Sequence, residues 1–255
     1  CNIGLENIDK VNMDKKKQNV FRGEIYFLRG FFYATLLKLY GGVPLLKTTL
    51  SFSDPIPSRS SEEDVYNFII SDLDSAATLL PITQEEVGRA TKGAAIAEKA
   101  IISNFMNKYK EAAKYAKELI TLGIYDLHPN YAELFLPTYE NNVEVIFDRQ
   151  YMENAKDKSL GSDIDQFFAP QMMGGWEAVS PTKDLIDTYE CIDGKSIQES
   201  PLYDENNPFL NRDPRLEYSI LHDGSVIADK IFSSEGRVGD GNSTRTGYSL
   251  SLIHI

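Results

Sequence analysis

Residues 19–42 read NVFRGEIYFLRGFFYATLLKLYGG, and their spacing decides the fold class. Val20, Phe21, Ile25, Leu28, Phe31, Phe32, Leu36 and Leu39 recur at intervals of three and four, the period of one wide apolar face on an α-helix. Gly41-Gly42 supplies a stop, and Pro44 prevents the helix from resuming. A helix with so many aromatic residues is expected to be largely buried.

Three more helices follow outward from it. Ser60-Ser61-Glu62-Glu63 has the form of a capping box with Ser60 as the cap and Glu63 reaching back. It opens a stripe of Val65, Phe68, Ile69, Leu73, Ala76, Leu79 and Leu80 that Pro81 closes. The next helix starts after Thr91 and runs through Ala94, Ala97, Ile101 and Phe105. The last spans Tyr109 to Leu122 and ends at Gly123. These two make a hairpin of about 34 residues, the length of a tetratricopeptide unit. Ala112, Ala116 and Leu119 give it a stripe of small residues for close helix approach. The W-x2-L-G part of the repeat consensus is absent, so the hairpin alone fits a generic helical pair equally well. The expected core includes Phe21, Ile25, Phe31, Leu36, Phe68, Leu73, Ile101 and Leu119.

Beyond His128-Pro129 the pattern changes. Pro137, Gly161, Pro170, Gly174-Gly175, Pro181, Gly194, Pro201 and Pro208 punctuate the chain, with one short helical piece at 181–190. Glu144-Val145-Ile146-Phe147 and Tyr218-Ser219-Ile220-Leu221 read as short strands. The expected organisation is a helical scaffold over 1–128, a loop-rich ligand-binding region over 129–248 and a separate tail over 249–255. Loops held on a rigid scaffold are where binding sites concentrate.

Charge and composition narrow the function. The 38 acidic residues outweigh 26 basic ones, for a net charge of -12. Such a surface repels phosphate backbones and anionic lipid; a neutral ligand is not penalised. Cys1 and Cys191 are the only cysteines, too few for a disulfide framework or a Cys-based zinc ribbon. Cys191 reads as a small buried hydrophobe. Cys1 is either a lipid-bearing residue or a point inside a longer domain. The second reading is preferred, because residues 2–8 already have helical character where a polar tether is expected.

Catalytic signatures are sparse. His128, His222 and His254 are isolated, no H-E-x-x-H, G-x-S-x-G or phosphate-binding loop occurs, and Gly174-Gly175 reads as a turn. No cofactor is implied. Asp163-Ile164-Asp165 and Asp240-Gly241-Asn242 space oxygen ligands as a calcium loop does, but neither continues into the full pattern. Trp176, the only tryptophan, lies in Gln171-Met172-Met173-Gly174-Gly175-Trp176. Sugar rings present flat C–H faces to exposed aromatics, while amides and acids take the hydroxyls. Trp176, Gln171 and Phe168 are therefore the candidate carbohydrate-binding residues. The competing reading has Trp176 anchoring its loop to the core.

Six segments in one order resemble the SusD/RagB family: Arg22 through Leu45 with its "YGxVPL" ending; Arg89-Ala90-Thr91-Lys92-Gly93-Ala94-Ala95; Tyr115 through Phe135 with "GxYxL"; Asn142 through Phe147 as "NxEVIF"; Pro181 through Gly194 as "PTxxLxDxYExxDG"; and Arg212-Asp213-Pro214-Arg215-Leu216 as "RDPRL". The resemblance covers roughly residues 1–248 and identifies the chain as an internal piece of such a protein. It implies a mainly α, tetratricopeptide-like fold in a surface-exposed outer-membrane lipoprotein, its lipid anchor outside this piece. By the same resemblance the protein captures oligosaccharides without chemistry and passes them to a SusC-like TonB-dependent transporter. The helices contact the transporter and the loops hold the sugar. A helical-repeat scaffold for a protein ligand is the alternative, with a glycosidase fragment third.

Overall fold

The computed structural model describes residues 1–151, 163–227, 229–234 and 244–251. The candidate cation loop at 240–242, His254, the side chain of Asp165 and the end of the tail lie outside the described residues. The chain divides into two compact units. One comprises Cys1–Leu127 with Val143–Gln150, the other His128–Asn142 with Tyr151–Ile255. Residues 143–150 thus belong with the helices rather than with the loops that follow.

In the first unit a short helix α1 (Asn2–Asn7) precedes α2 (Lys15–Tyr40), α3 (Glu62–Leu79), α4 (Lys92–Phe105) and α5 (Tyr109–Thr121). Each long helix packs on the next, α2 on α3, α3 on α4 and α4 on α5, which makes the build mainly α and tetratricopeptide-like. Local chemistry sets the boundaries. The Asp14 carboxylate accepts from Lys17 N–H to cap α2. Gly41 at φ +67° ends that helix, its N–H donating to the Leu37 carbonyl. The cap of α3 is Ser61 rather than Ser60. Its hydroxyl accepts from Asp64 N–H at 3.1 Å and donates to the Asp64 carboxylate at 2.6 Å. The residue that pairs with the cap is therefore Asp64 and not Glu63. Thr91 caps α4 as expected, accepting from Ala94 N–H.

The buried face of α2 differs from the apolar stripe read in the sequence. Gly23, Phe27, Arg29, Gly30, Ala34 and Leu37 are buried, whereas Leu36 is 38% exposed and Phe32 and Leu39 more so. The small residues explain the rotation. A Cβ on Gly23 would stand 3.0 Å from Leu79 and Leu80, and one on Gly30 would stand 3.1 Å from Leu73. Helix α3 comes closest along the stripe without side chains, and the bulky residues are turned to its flanks. Likewise α4 buries Ile96 and Ile102, leaving Ile101 and Phe105 exposed. Leu73 is buried as expected; Phe21, Ile25, Phe31, Phe68 and Leu119 are half-buried.

Residues 144–147 form turns rather than a strand. Their apolar pair still contributes, since Ile146 and Phe147 pack on the core around Phe27, the Phe147 ring meeting Phe27 edge to face at 4.8 Å.

The second unit holds α6 (Ile164–Phe168), α7 (Lys183–Thr188) and α8 (Pro214–Ser219), with strands β1 (Ile220–Leu221), β2 (Val226–Ile227), β3 (Lys230–Ile231) and β4 (Ser249–Leu250). Both pairs are antiparallel: Ile220 lies opposite Leu250, and Val226 opposite Ile231. Ser249 and Leu250, the first residues of the expected tail, thus sit in a two-stranded sheet. Two small apolar clusters form, one of Ile186, Leu216 and Ile220, the other of Leu221, Ile227 and Phe232. Among the described residues, no helix is long and apolar enough to cross a membrane.

Candidate functional site

The loop carrying Trp176 is fixed by its backbone. Helix α6 is too short to satisfy its own last carbonyls, and the returning chain takes them. Trp176 N–H donates to Gln166 O at 2.8 Å, Ala178 N–H to Phe167 O at 2.8 Å, and Glu177 N–H to Ala169 O at 3.0 Å. Between the two limbs, a 3-10 turn at Gln171–Met173 ends on Gly174 at φ +88°. Gly175 follows where a Cβ would lie 2.2 Å from both Ala169 Cβ and its carbonyl oxygen, so only glycine fits. Met172 and Met173 pack against the Leu221, Ile227 and Phe232 cluster beneath.

This geometry puts Trp176 outside, 57% exposed, with Phe167 beside it at 42%. Their rings meet edge to face, centroids 4.9 Å apart at 84°. The partner ring is Phe167. Phe168, the neighbour singled out in the sequence, is half-buried, and Gln171 is exposed on the turn. Successive helical side chains diverge by about 100°, so only one member of the Phe167-Phe168 pair can meet Trp176, and no sequence signal says which. Glu177 adopts φ +46°, which is uncommon for a non-glycine residue, and one of its carboxylate oxygens is sealed from solvent. Burial pushes its carboxyl above the usual glutamate range, offset in part by the Ser249 and Thr244 hydroxyls.

The motifs that carry the family resemblance build scaffold instead. Gly42 lies where a Cβ would be 2.1 Å from Ser60 O, and Gly93 where one would be 2.3 Å from the Tyr125 hydroxyl. The Tyr33 hydroxyl oxygen accepts from Leu46 N–H at 2.8 Å. In the second unit Arg212, buried, donates to the carbonyls of Ile186, Tyr189 and Pro208, closing the C-terminus of α7. Asp213 caps α8. Cys191 is buried and bridges to Arg212 through the backbone. His222 stacks flat on Phe209 at 3.6 Å and pairs with Glu217 at 3.0 Å. Among the described residues, no group of three His, Cys, Asp or Glu side chains is arranged to hold a metal ion.

Serially packed helices followed by a loop-rich unit place the chain among tetratricopeptide-like helical proteins. Residues 1–104 match a family described as "Starch-binding associating with outer membrane", and residues 143–251 match the SusD family. A SusD-like carbohydrate-binding protein of Bacteroides fragilis superposes with a TM-score of 0.85 at 28% identity, covering 96% of this chain and 51% of that one. A second SusD-like protein of that organism gives 0.81 at 31% identity, covering 98% and 54%. A SusD-like protein of Bacteroides ovatus is 29% identical over 263 residues, covering 91% of this chain and 46% of the relative. The chain belongs to the SusD/RagB family. It spans 34% to 46% of the length of four curated SusD-like relatives.

Proposed function

We propose that this chain is the part of a SusD-type protein that captures oligosaccharides, without chemistry, at the outer surface of the outer membrane, for delivery to a TonB-dependent transporter. The observation that carries the reading is the exposed Trp176–Phe167 pair on a backbone-locked loop. A neutral sugar gains most from a flat aromatic surface that is already in place before it arrives, and Gln171 on the same loop offers an amide for a hydroxyl. Phe168, the next residue along α6, is half-buried. The SusD-like relative of B. fragilis is described as carbohydrate-binding, which agrees with this ligand class. Transporter contact falls on the exposed apolar stripe of α2, where Leu28, Phe32, Leu36, Leu39 and Tyr40 face solvent.

Calorimetric titration of the full-length protein with a panel of neutral oligosaccharides, with chromatography of each mixture afterwards, tests the reading. Binding with the sugar recovered intact supports it. Shortened sugar would replace it with glycosidase chemistry. Co-purification with the transporter, weakened by Phe32→Glu, tests the delivery step.

A further inference from the structure

The loop that carries Trp176 rests on the strand pair β1–β4 at two points. On the turn side, Met172 and Met173 pack on the cluster that contains Leu221. On the returning limb the Glu177 side chain turns inward, one carboxylate oxygen sealed from solvent, and meets the hydroxyls of Ser249 and Thr244. Leu221 and Ser249 are register partners, so both supports fall on one rung of the sheet. Three features of Glu177 work against stability. Its φ of +46° suits glycine better than a residue with a side chain. Its carboxyl is drawn out of water, which pushes it above the usual glutamate range. Neither its sealed oxygen nor the hydroxyl of the fully buried Ser249 completes a hydrogen bond, and polar atoms left unpaired in the interior are destabilising. Glycine would relieve the first two.

We infer that Glu177 is the positioning residue of the platform: its side chain, lodged against Ser249 of β4, fixes the direction in which the neighbouring indole faces solvent. The inference rests on the reading of Trp176 as a glycan platform. Strained and under-satisfied residues gather where a fold holds a functional group in place, and Glu177 adjoins the 57% exposed Trp176. The mechanism is a clamp on one bond. Glu177 N–H is held by Ala169 O at 3.0 Å, and the carboxyl is held against the Ser249 and Thr244 hydroxyls. Rotation about the Glu177 N–Cα bond is thus blocked from both ends, and the peptide that joins Glu177 to Trp176 cannot turn. The indole is set before a ligand arrives, which lowers the ordering cost of binding. Both groups that bear on the carboxyl are uncharged hydroxyls, able to donate or accept, so an amide of the same length can take its place.

Full-length protein labelled with fluorotryptophan tests this, because the fluorine resonance that Trp176→Phe removes reports the order of this indole directly. The line is expected to stay narrow in Glu177→Gln and to broaden or split in Glu177→Ala, Glu177→Gly and Ser249→Ala. Glycine is the discriminating variant. It suits the φ of +46°, so melting temperature should hold while the indole loosens. Affinity for maltoheptaose and for a xyloglucan heptasaccharide should follow the line, falling about fivefold in Glu177→Gly, the scale of one hydrogen bond, and staying within about twofold in Glu177→Gln. A line as narrow in Glu177→Gly as in wild type would overturn the positioning role, and glycan capture would still stand if Trp176→Ala weakens binding. Equal broadening in Glu177→Gln and Glu177→Ala would overturn it as well. A broadened line in Glu177→Gly with sugar affinity unchanged, or with neither sugar bound, counts against the glycan platform and keeps Glu177 as the residue that sets the indole.

Discussion

Arg29 and Asp72 form a two-pronged ion pair inside the helical unit, Arg29 Nε and an Nη each donating to a separate carboxylate oxygen at 2.7 and 2.8 Å. The two side chains are only 10% and 4% exposed. Arg29 also donates to the Asn2 side chain at 2.8 Å and to the Lys47 carbonyl, and its guanidinium lies over the Phe68 ring at 4.9 Å. The pair thus ties α1, α2, α3 and the loop after α2 to one point.

Breaking such a pair strands a buried charge. Asp72→Ala should cost about 3–5 kcal/mol, whereas exchanging both partners for apolar residues of similar volume should cost far less. Urea melts of the two variants give the comparison. Equal losses would mean that the packing of the side chains matters and the charge does not.

Glu98 gives the helical unit a pH dependence of known sign. Burial pushes its carboxyl above the ordinary glutamate value of 4.5, with Lys38 pulling the other way. A raised folded value means that the native chain binds the proton more tightly than the unfolded one. Stability attributable to this group is then greatest in acid and is lost as pH rises from about 4.5 through the raised value. Glu98→Gln cannot ionise, so its stability relative to wild type should improve between pH 4 and pH 7. A difference that stays constant over that range would mean Glu98 titrates as it does in water.

Helix existence was legible because periodicity and caps are local. Which face of α2 goes inward was not, for apolar residues occur on nearly every side of it. Counting bulk pointed to Phe32, Leu36 and Leu39, while close approach is permitted only along Gly23, Gly30 and Ala34. Absence of side chain, not presence, marked the interface. The Arg29–Asp72 pair was out of reach, its partners lying 43 residues apart. At the platform, Trp176 stood out as the one indole in a stretch without periodicity. Its partner did not, because Phe167 and Phe168 are equivalent until the turn of α6 separates them.

Gly175 should be the most sensitive backbone position of the platform. An alanine there collides with Ala169 Cβ and its carbonyl, each 2.2 Å from the new carbon. The hydrogen bonds from Trp176 N–H to Gln166 O and from Glu177 N–H to Ala169 O must then loosen. With one tryptophan in the chain, its emission reports this site alone. Gly175→Ala should alter the Trp176 spectrum and lower glycan affinity, while far-UV helicity, which comes mainly from the first unit, stays put. Gly174→Ala, where nothing stands within 4 Å, should be milder and limited to its left-handed φ, about 1 kcal/mol. Equal effects at the two positions would assign the cost to backbone freedom and not to the collision.

Trp176→Ala decides whether the platform binds or merely packs. The indole is more than half exposed and touches Phe167 edge to face, so its removal forfeits little burial. The three backbone hydrogen bonds that hold the loop come from N–H groups an alanine retains. Melting temperature should therefore hold nearly steady. Each stacked ring contributes roughly 1–3 kcal/mol by analogy with base–aromatic stacking, and glycan affinity should fall about fivefold to a hundredfold. Phe167→Ala should weaken binding less, since its ring orients the indole from the side, and the double variant should lose less than the sum of the two single losses. Phe168→Ala should do the opposite of Trp176→Ala, lowering melting temperature more than affinity because its ring is half-buried. A large drop in melting temperature for Trp176→Ala with affinity unchanged would make the indole an anchor for its loop, and the sugar would have to be sought elsewhere on the chain.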